Sequence, residues 1–160
     1  MRALVDHVVD EIRQFAAVTA GGERHHDGAD VIGDDWSAAH RAAADELLAA
    51  WRRSGALDRP QRPPFREIPA LWAVGQHVTE LVIHAWDIAR ATGQQADLDP
   101  ELGLVALRCG RETLRPEFRG DETEGHHIAA EVPVPDDAPL YDRIAAFGGR
   151  DPLWGRSSGA

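Results

Sequence analysis

Apolar residues recur every three or four positions along most of the chain, and this pattern predicts four main helices. We place them at residues 2–20, 36–53, 69–92 and 100–115, with a polar, glycine-rich loop over residues 21–35. Segments that alternate like a strand are nearly absent. The predicted fold class is therefore all-α, with the helices packed as a bundle.

Local residues predict where several helices begin and end. Asp35 or Ser37 is suited to cap the second helix, because a short side-chain oxygen can accept a hydrogen bond from its first turn. Pro69 suits the first position of the third helix, since proline has no N–H to leave unsatisfied there. Gly93 ends the third helix.

The C-terminal third of the sequence predicts less regular structure. The charged stretch 119–125 is expected to be mobile, and residues 132–135 to be extended. Asp137 is placed to cap a short helix that continues to Phe147. We predict one domain over residues 1–152, followed by a tail over residues 153–160.

Composition narrows the classes of function. The chain has 160 residues, 43% of them apolar, which is the size of one domain with a real core. Its 27 acidic and 17 basic residues give a net charge of −10, which argues against binding to nucleic acids or to anionic membranes. The single cysteine, Cys109, cannot form an internal disulfide, and no signal peptide or membrane span is recognisable. We expect a soluble cytoplasmic protein.

The third helix carries a row of ionisable residues. His77, Glu80, His84 and Asp87 are spaced by three and four, so they lie along one face. We expect the neighbouring apolar stripe to face the core; it comprises Val74, Val78, Leu81, Ala85 and Ile88. Glu80 and His84 are one turn apart and could converge on one metal ion. On spacing alone, such a pair more often forms a Glu–His hydrogen bond or lies on a solvated helix face.

The first helix offers a third ligand. His7 lies at the edge of its apolar stripe, one turn from Glu11, and can point into the bundle. In a catalytic site, a zinc or similar divalent ion is bound by about three protein ligands, and one position is left open for water or substrate. A set of two histidines and one carboxylate also suits non-haem iron, so Fe²⁺, Ni²⁺ and Mn²⁺ remain alternatives to Zn²⁺.

The segment Glu80-Leu-Val-Ile-His84-Ala-Trp-Asp87-Ile-Ala-Arg-Ala-Thr-Gly93 closely resembles the signature segment of the DinB-like superfamily. Its nearer match is the actinobacterial branch related to the N-terminal domain of mycothiol-dependent maleylpyruvate isomerase. The stretch from Arg2 to His7 also resembles that family's first metal-bearing segment, and the stretch from Phe147 to Pro152 resembles the terminus of a single-domain subgroup.

The resemblance implies a four-helix bundle that holds a divalent ion, usually zinc. Carried over by position, the metal ligands are His7, Glu80 and His84. Family members begin with one more helix, so this chain is expected to lack the usual first helix or to have its native start upstream. A second chain could fill the apolar groove left by a missing helix. The isomerase's separate C-terminal domain has no counterpart here, so the isomerase activity itself is not expected.

Two further residues of the third helix have candidate roles. His77 could be a fourth ligand or a proton shuttle, or simply a histidine of the groove. Asp87 could orient a metal-bound histidine, or form a salt bridge with Arg90 or another helix. Trp86 lies off the ligand face and is expected to pack in the core.

Residues outside the third helix give weaker signals. Cys109 could be a nucleophile, but a buried structural cysteine is more common. Two histidine pairs lie beside acidic residues and are interpreted first as solvated loops rather than metal sites: His25-His26 with Asp27 and Asp30, and His126-His127 with Glu122 and Glu124.

Three hypotheses about function follow. The first is an enzyme in which the ion activates a small thiol, which is then transferred to a small electrophile or assists the isomerisation of one. In this hypothesis His77 is the proton shuttle. The second is a non-catalytic metal-binding or stress-related module. The third is a structural helical protein in which Glu80 and His84 make only hydrogen bonds.

Overall fold

The computed structural model describes residues 1–23, 30–62, 67–120, 123 and 128–154, and these residues form an all-α fold. The α-helices are α1 (Arg2–Thr19), α2 (Trp36–Trp51), α3 (Ala70–Ala91), α4 (Pro100–Thr113) and α5 (Leu140–Phe147). A 3₁₀ turn spans Pro116–Phe118. Within the described ranges there is no strand, only isolated bridges between Gln61 and Ile68 and between Arg119 and Ile128. The prediction of an all-α fold is confirmed.

The chain divides into two compact units, Met1–Val74 and Gly75–Ala160, and the division falls inside α3. In the first unit α1 packs against α2. Residues that are buried on these two helices include Val8, Val9, Ile12, Phe15, Ala43, Leu47 and Ala50. Asp6 of α1 also accepts a hydrogen bond from the backbone N–H of Val31 at 2.9 Å, which ties the segment before α2 to α1.

The second unit has its own apolar core. Here α4 packs against α5, and the core cluster contains Val82, Ile83, Trp86, Ala106, Leu107, Tyr141, Ile144 and Phe147. Gly110 lets α4 approach α5 closely, because a Cβ atom at that position would lie 2.6 Å from Cε1 of Phe147. The second unit therefore holds α3, α4 and α5 together by side chains that interlock at short range.

Several helix ends match the sequence signals. Asp35 caps α2, accepting a hydrogen bond from Ala38 N at 2.8 Å. Gly93 follows α3 in a left-handed conformation, with φ +69°. Asp99, which the sequence analysis did not single out, caps α4.

Other helix ends differ from the prediction. The helix α3 starts at Ala70, and Pro69 instead precedes it, with its carbonyl accepting hydrogen bonds from Trp72 and Ala73. The prediction that Asp137 caps α5 was wrong, because α5 starts after Pro139 with no side-chain cap. Asp137 lies instead in a turn closed by a hydrogen bond from Ala138 N to Pro135 O.

The apolar stripe predicted for α3 is also shifted. All five of its members are only half-buried. The most buried side chains of α3 are instead Ala70, Ala73, Thr79, Val82, Ile83, Trp86 and Ala89. Because α3 is apolar on more than one side, its periodicity alone did not identify the buried face.

Parts of two predicted loops lie outside the described residues. These are residues 24–29 of the glycine-rich loop, and residues 121, 122 and 124–127 of the charged stretch and the histidine pair after it. Among the described helices, none is both long and apolar enough to cross a membrane.

Candidate metal centre

In the first unit, α1 places a histidine and a carboxylate one turn apart. Nε2 of His7 lies 3.9 Å from Oε2 of Glu11. The imidazole of His7 is exposed, whereas the carboxylate of Glu11 is largely shielded, with 19% of its side chain accessible. Glu11 was not among the predicted ligands, although its spacing from His7 equals that of Glu80 from His84.

In the second unit, α3 buries His84 and gives it a carboxylate partner. Nδ1 of His84 lies 3.1 Å from Oδ2 of Asp87, one turn further along the helix, and the side chain of His84 is 10% exposed. The predicted contact between Asp87 and a candidate ligand histidine is therefore present. The salt bridge of Asp87 is formed with Arg150, which lies outside α3, rather than with Arg90 of the same helix.

Arg150 and Asp87 form a two-point ion pair. Nε of Arg150 donates to Oδ1 of Asp87 at 3.1 Å, and Nη2 donates to Oδ2 at 2.7 Å. Burial raises the pKa of Asp87, but the hydrogen bonds from His84 and Arg150, together with the positive charge of the Arg150 guanidinium, outweigh burial and lower the pKa below its ordinary value. Asp87 is therefore held as a carboxylate. Sequence spacing could not reveal Arg150, because 63 positions separate it from Asp87.

Glu80 and His77 are half-buried on α3. Glu80 is close enough to Arg119 for its charge to act on the guanidinium group. Burial lowers the pKa of Arg119, and the negative charges of Glu131 and Glu80 only partly offset that effect. The role of Glu80 as a metal ligand and that of His77 as a proton shuttle stay predictions.

Three of the side chains described above are of the types that could hold a divalent metal ion. His7 and His84 each offer an imidazole nitrogen, and Glu11 offers a carboxylate oxygen. His7 and His84 are two of the three predicted ligands, and Glu11 is a further carboxylate beside His7 that was not among them. Its donor types suit zinc and other first-row divalent ions.

The remaining candidates of the sequence analysis have structural explanations or lie outside the description. Trp86 is buried, as expected, and the guanidinium of Arg90 lies 5.2 Å from its ring centroid. Cys109 is a free, half-buried thiol on α4. Asp30 pairs with Arg2 and accepts hydrogen bonds from two backbone N–H groups. The pairs His25-His26 and His126-His127, with Asp27, Glu122 and Glu124, lie outside the described residues.

Comparison with known proteins identifies relatives. No model of a known protein family matches the sequence, and no solved structure matches it. Two Mycobacterium tuberculosis proteins, Uncharacterized protein Rv0738 of strain H37Rv and Uncharacterized protein MT0763 of strain CDC 1551, are each 35% identical to this chain over 150 residues. The alignments cover 92% of this chain and 77% of each relative. The chain therefore belongs to the same protein family as these two mycobacterial proteins.

Proposed function

We propose that the protein binds one divalent metal ion, with zinc as the first choice, through His7, His84 and a carboxylate. Glu11 is the preferred carboxylate, and Glu80 is the alternative. The resemblance of the chain to the DinB-like superfamily and to the N-terminal domain of mycothiol-dependent maleylpyruvate isomerase supports this proposal. The ion would activate a small thiol. That thiol would either be transferred to a small electrophile or assist the isomerisation of one.

The contact between His84 and Asp87 is the observation that carries the proposal. Histidines that bind metal ions almost always donate their other ring N–H to a carboxylate, a carbonyl or water. With Nδ1 of His84 at 3.1 Å from a carboxylate that Arg150 keeps ionised, Nε2 remains as the donor atom for an ion.

The donor set fits a zinc ion with catalytic potential. Two imidazole nitrogens and one carboxylate oxygen are a common three-ligand set for zinc, and they leave one position open for a further ligand. When bound there, the ion would lower the pKa of a coordinated thiol. The same set suits Fe²⁺, Ni²⁺ and Mn²⁺, which metal analysis would distinguish from zinc.

His77 is the proposed proton acceptor. It lies two turns before His84 on α3 and is half-buried, with its Nδ1 atom fully enclosed by protein. The remaining ring nitrogen, Nε2, is therefore the atom at which a thiol proton would be held. The half-buried position lets His77 exchange that proton with solvent more easily than the buried His84 could.

Metal analysis of the purified protein and of four variants tests the binding site. The wild-type protein is expected to carry about one metal ion per chain, as a three-ligand site would. His84→Ala should lose it, and His40→Ala, which removes an exposed histidine of α2, should retain it. Loss of metal in Glu11→Gln but not in Glu80→Gln supports the preferred carboxylate. A wild-type protein that neither carries nor takes up metal overturns the proposal.

The enzymatic part has a separate test. Cobalt(II) reports its ligands through its visible absorption, so a thiol that joins the ion should change the spectrum of the Co²⁺-substituted protein. A spectrum that responds to small thiols in the wild-type protein, with activity towards an electrophile that His77→Gln reduces, supports thiol chemistry. A spectrum that no thiol changes, while the metal raises the melting temperature, would identify a non-catalytic site in which the ion stabilises the fold.

A further inference from the structure

Arg150, Asp87 and His84 form a continuous chain of hydrogen bonds within the second unit. Arg150 grips both oxygens of the Asp87 carboxylate, at 3.1 and 2.7 Å, and Oδ2 of that carboxylate also faces Nδ1 of His84 at 3.1 Å. The exposed fraction of the side chain falls along this series of hydrogen bonds, from 34% for Arg150 to 16% for Asp87 and 10% for His84. A guanidinium near the surface is thus connected to a buried imidazole through one carboxylate.

The backbone around Arg150 is held in place independently of Asp87. The N–H of Arg150 donates to Ala145 O at 2.9 Å, and Nη1 donates to Gly148 O at 2.6 Å. Gly149 has φ +78°, and a Cβ atom there would lie 2.5 Å from that of Ala129. Because these contacts hold both the backbone and the side chain of Arg150, the guanidinium presents its two N–H groups to Asp87 in a defined orientation.

This arrangement decides which nitrogen of His84 carries the proton. An ionised carboxylate can only accept hydrogen bonds, so the neutral imidazole must direct Nδ1–H towards Asp87 and leave the lone pair on Nε2. The plane of the carboxylate is set by the two bonds from Arg150, and the orientation of the ring follows from that plane.

We propose that Arg150 is a positioning residue that acts through Asp87 to select the Nδ1–H tautomer of His84, so that Nε2 is the metal-binding atom. This inference rests on the proposed metal-binding function and deepens it, by assigning the outer partners of one ligand. Arg150 is not itself a ligand, and its contribution is to hold the donor atom ready before an ion arrives.

The tautomer can be measured without any metal. Long-range ¹H–¹⁵N correlation spectra of the metal-free protein, at a pH of about 8.5 where an ordinary imidazole is neutral, distinguish protonated from bare ring nitrogens. His84→Gln identifies the His84 signals by their disappearance. In the wild-type protein we expect Nδ1 to be protonated and Nε2 to be bare.

Three variants then test the role of Arg150. Arg150→Gln should let the Asp87 carboxylate rotate away from Nδ1 and so give a mixture of tautomers, and Arg150→Lys, which keeps the charge but not the fork, should give a smaller change. Asp87→Asn should invert the tautomer, because Arg150 would bind the amide oxygen and leave the NH₂ group to donate to Nδ1. Arg108→Gln, which alters an exposed arginine of α4, is the matched control and should change nothing.

Metal affinity gives the second readout. Loss of an outer partner typically weakens metal binding about 10- to 100-fold, so Arg150→Gln and Asp87→Asn should each weaken Zn²⁺ binding by that factor, and Arg108→Gln should not. If Arg150→Gln is too unstable to study, Arg150→Lys and Asp87→Asn carry the test. A folded Arg150→Gln protein with the wild-type tautomer and affinity would overturn the proposal and leave Arg150 as a structural tie only.

The two readouts separate this inference from the proposed function. If the wild-type protein binds no metal but its tautomer still depends on Arg150, the proposed function fails, while the control of His84 by Arg150 is supported. If metal binds and the wild-type imidazole is protonated at Nε2 in the metal-free protein, the metal site is supported and the role of Arg150 is overturned.

Discussion

Replacing Gly110 with alanine should destabilise the second unit, although alanine favours helices. Gly110 lies in the interior of α4 and is buried. A Cβ atom there would lie 2.6 Å from Cε1 of Phe147, 3.0 Å from its Cζ, and 2.9 Å from Cγ2 of Thr79. Ordinary contacts between carbon atoms are about 3.5–4.0 Å, so at least one neighbour would have to move by about 1 Å.

Neither neighbour can move easily. Phe147 is 2% exposed, and the guanidinium of Arg119 lies 4.0 Å from its ring centroid. The hydroxyl of Thr79 donates to the carbonyl oxygen of Gly75 at 2.8 Å or that of Ala106 at 2.9 Å, which holds its methyl group in place. Overpacking typically costs about 1–3 kcal/mol, and replacing glycine in a helix interior gains about 1 kcal/mol. We expect the free energy of unfolding to fall by about 1–2 kcal/mol, since the contact of 2.6 Å is severe.

Gly103 of the same helix provides the matched control. A Cβ atom there would lie 3.0 Å from Cδ2 of Leu140, and 3.2 Å from both Cδ1 of Ile144 and Cε2 of Tyr141, so each neighbour would have to move by only a few tenths of an ångström. Both substitutions gain the same helix propensity, so urea denaturation followed by circular dichroism isolates the difference in crowding. A Gly110→Ala protein as stable as the Gly103→Ala protein would refute the reasoning.

Two further predictions test local structure. Burial and the charges of Asp99 and Asp97 raise the pKa of Tyr141, the single tyrosine of the chain, so its absorbance titration should have a midpoint above the ordinary value near 10.0. Because the folded pKa lies above the unfolded one, this tyrosine stabilises the fold below pH 10 and the contribution disappears as the pH rises through the folded pKa; a midpoint at or below 10 contradicts the prediction. Asp35→Ala should remove the cap of α2 and cost about 1 kcal/mol in urea denaturation, whereas Asp35→Asn should cost less, and equal losses would show that capping is not the cause.

The sequence predicted features that depend on neighbouring residues. Asp35 caps α2 and Gly93 ends α3 because capping and left-handed backbone are properties of a few consecutive residues. The cap predicted at Asp137 was wrong because Pro139, with its fixed φ, sets the start of α5 two residues later. Local signals therefore located elements well, and failed where two of them competed within one turn.

Features that depend on distant residues could not be predicted in the same way. His84 and Asp87 share a helix face, so their contact follows from spacing. Arg150 joins them from 63 positions away, and no periodicity relates it to α3. The buried face of α3 was predicted wrongly for a related reason. When a helix carries apolar residues on several sides, the side that becomes buried is the one that the rest of the fold covers.

The polar row of α3 would be costly to bury without partners, and the second unit supplies partners for much of it. Arg150 compensates the charge of Asp87, and Asp87 in turn orients His84. This compensation explains how an aspartate can lie inside the fold, but it gives no reason for an imidazole beside it, because an apolar side chain would fill that space without needing a carboxylate. A neutral imidazole with one nitrogen oriented by an acceptor keeps a lone pair on the other nitrogen, which is the arrangement that the proposed metal site requires.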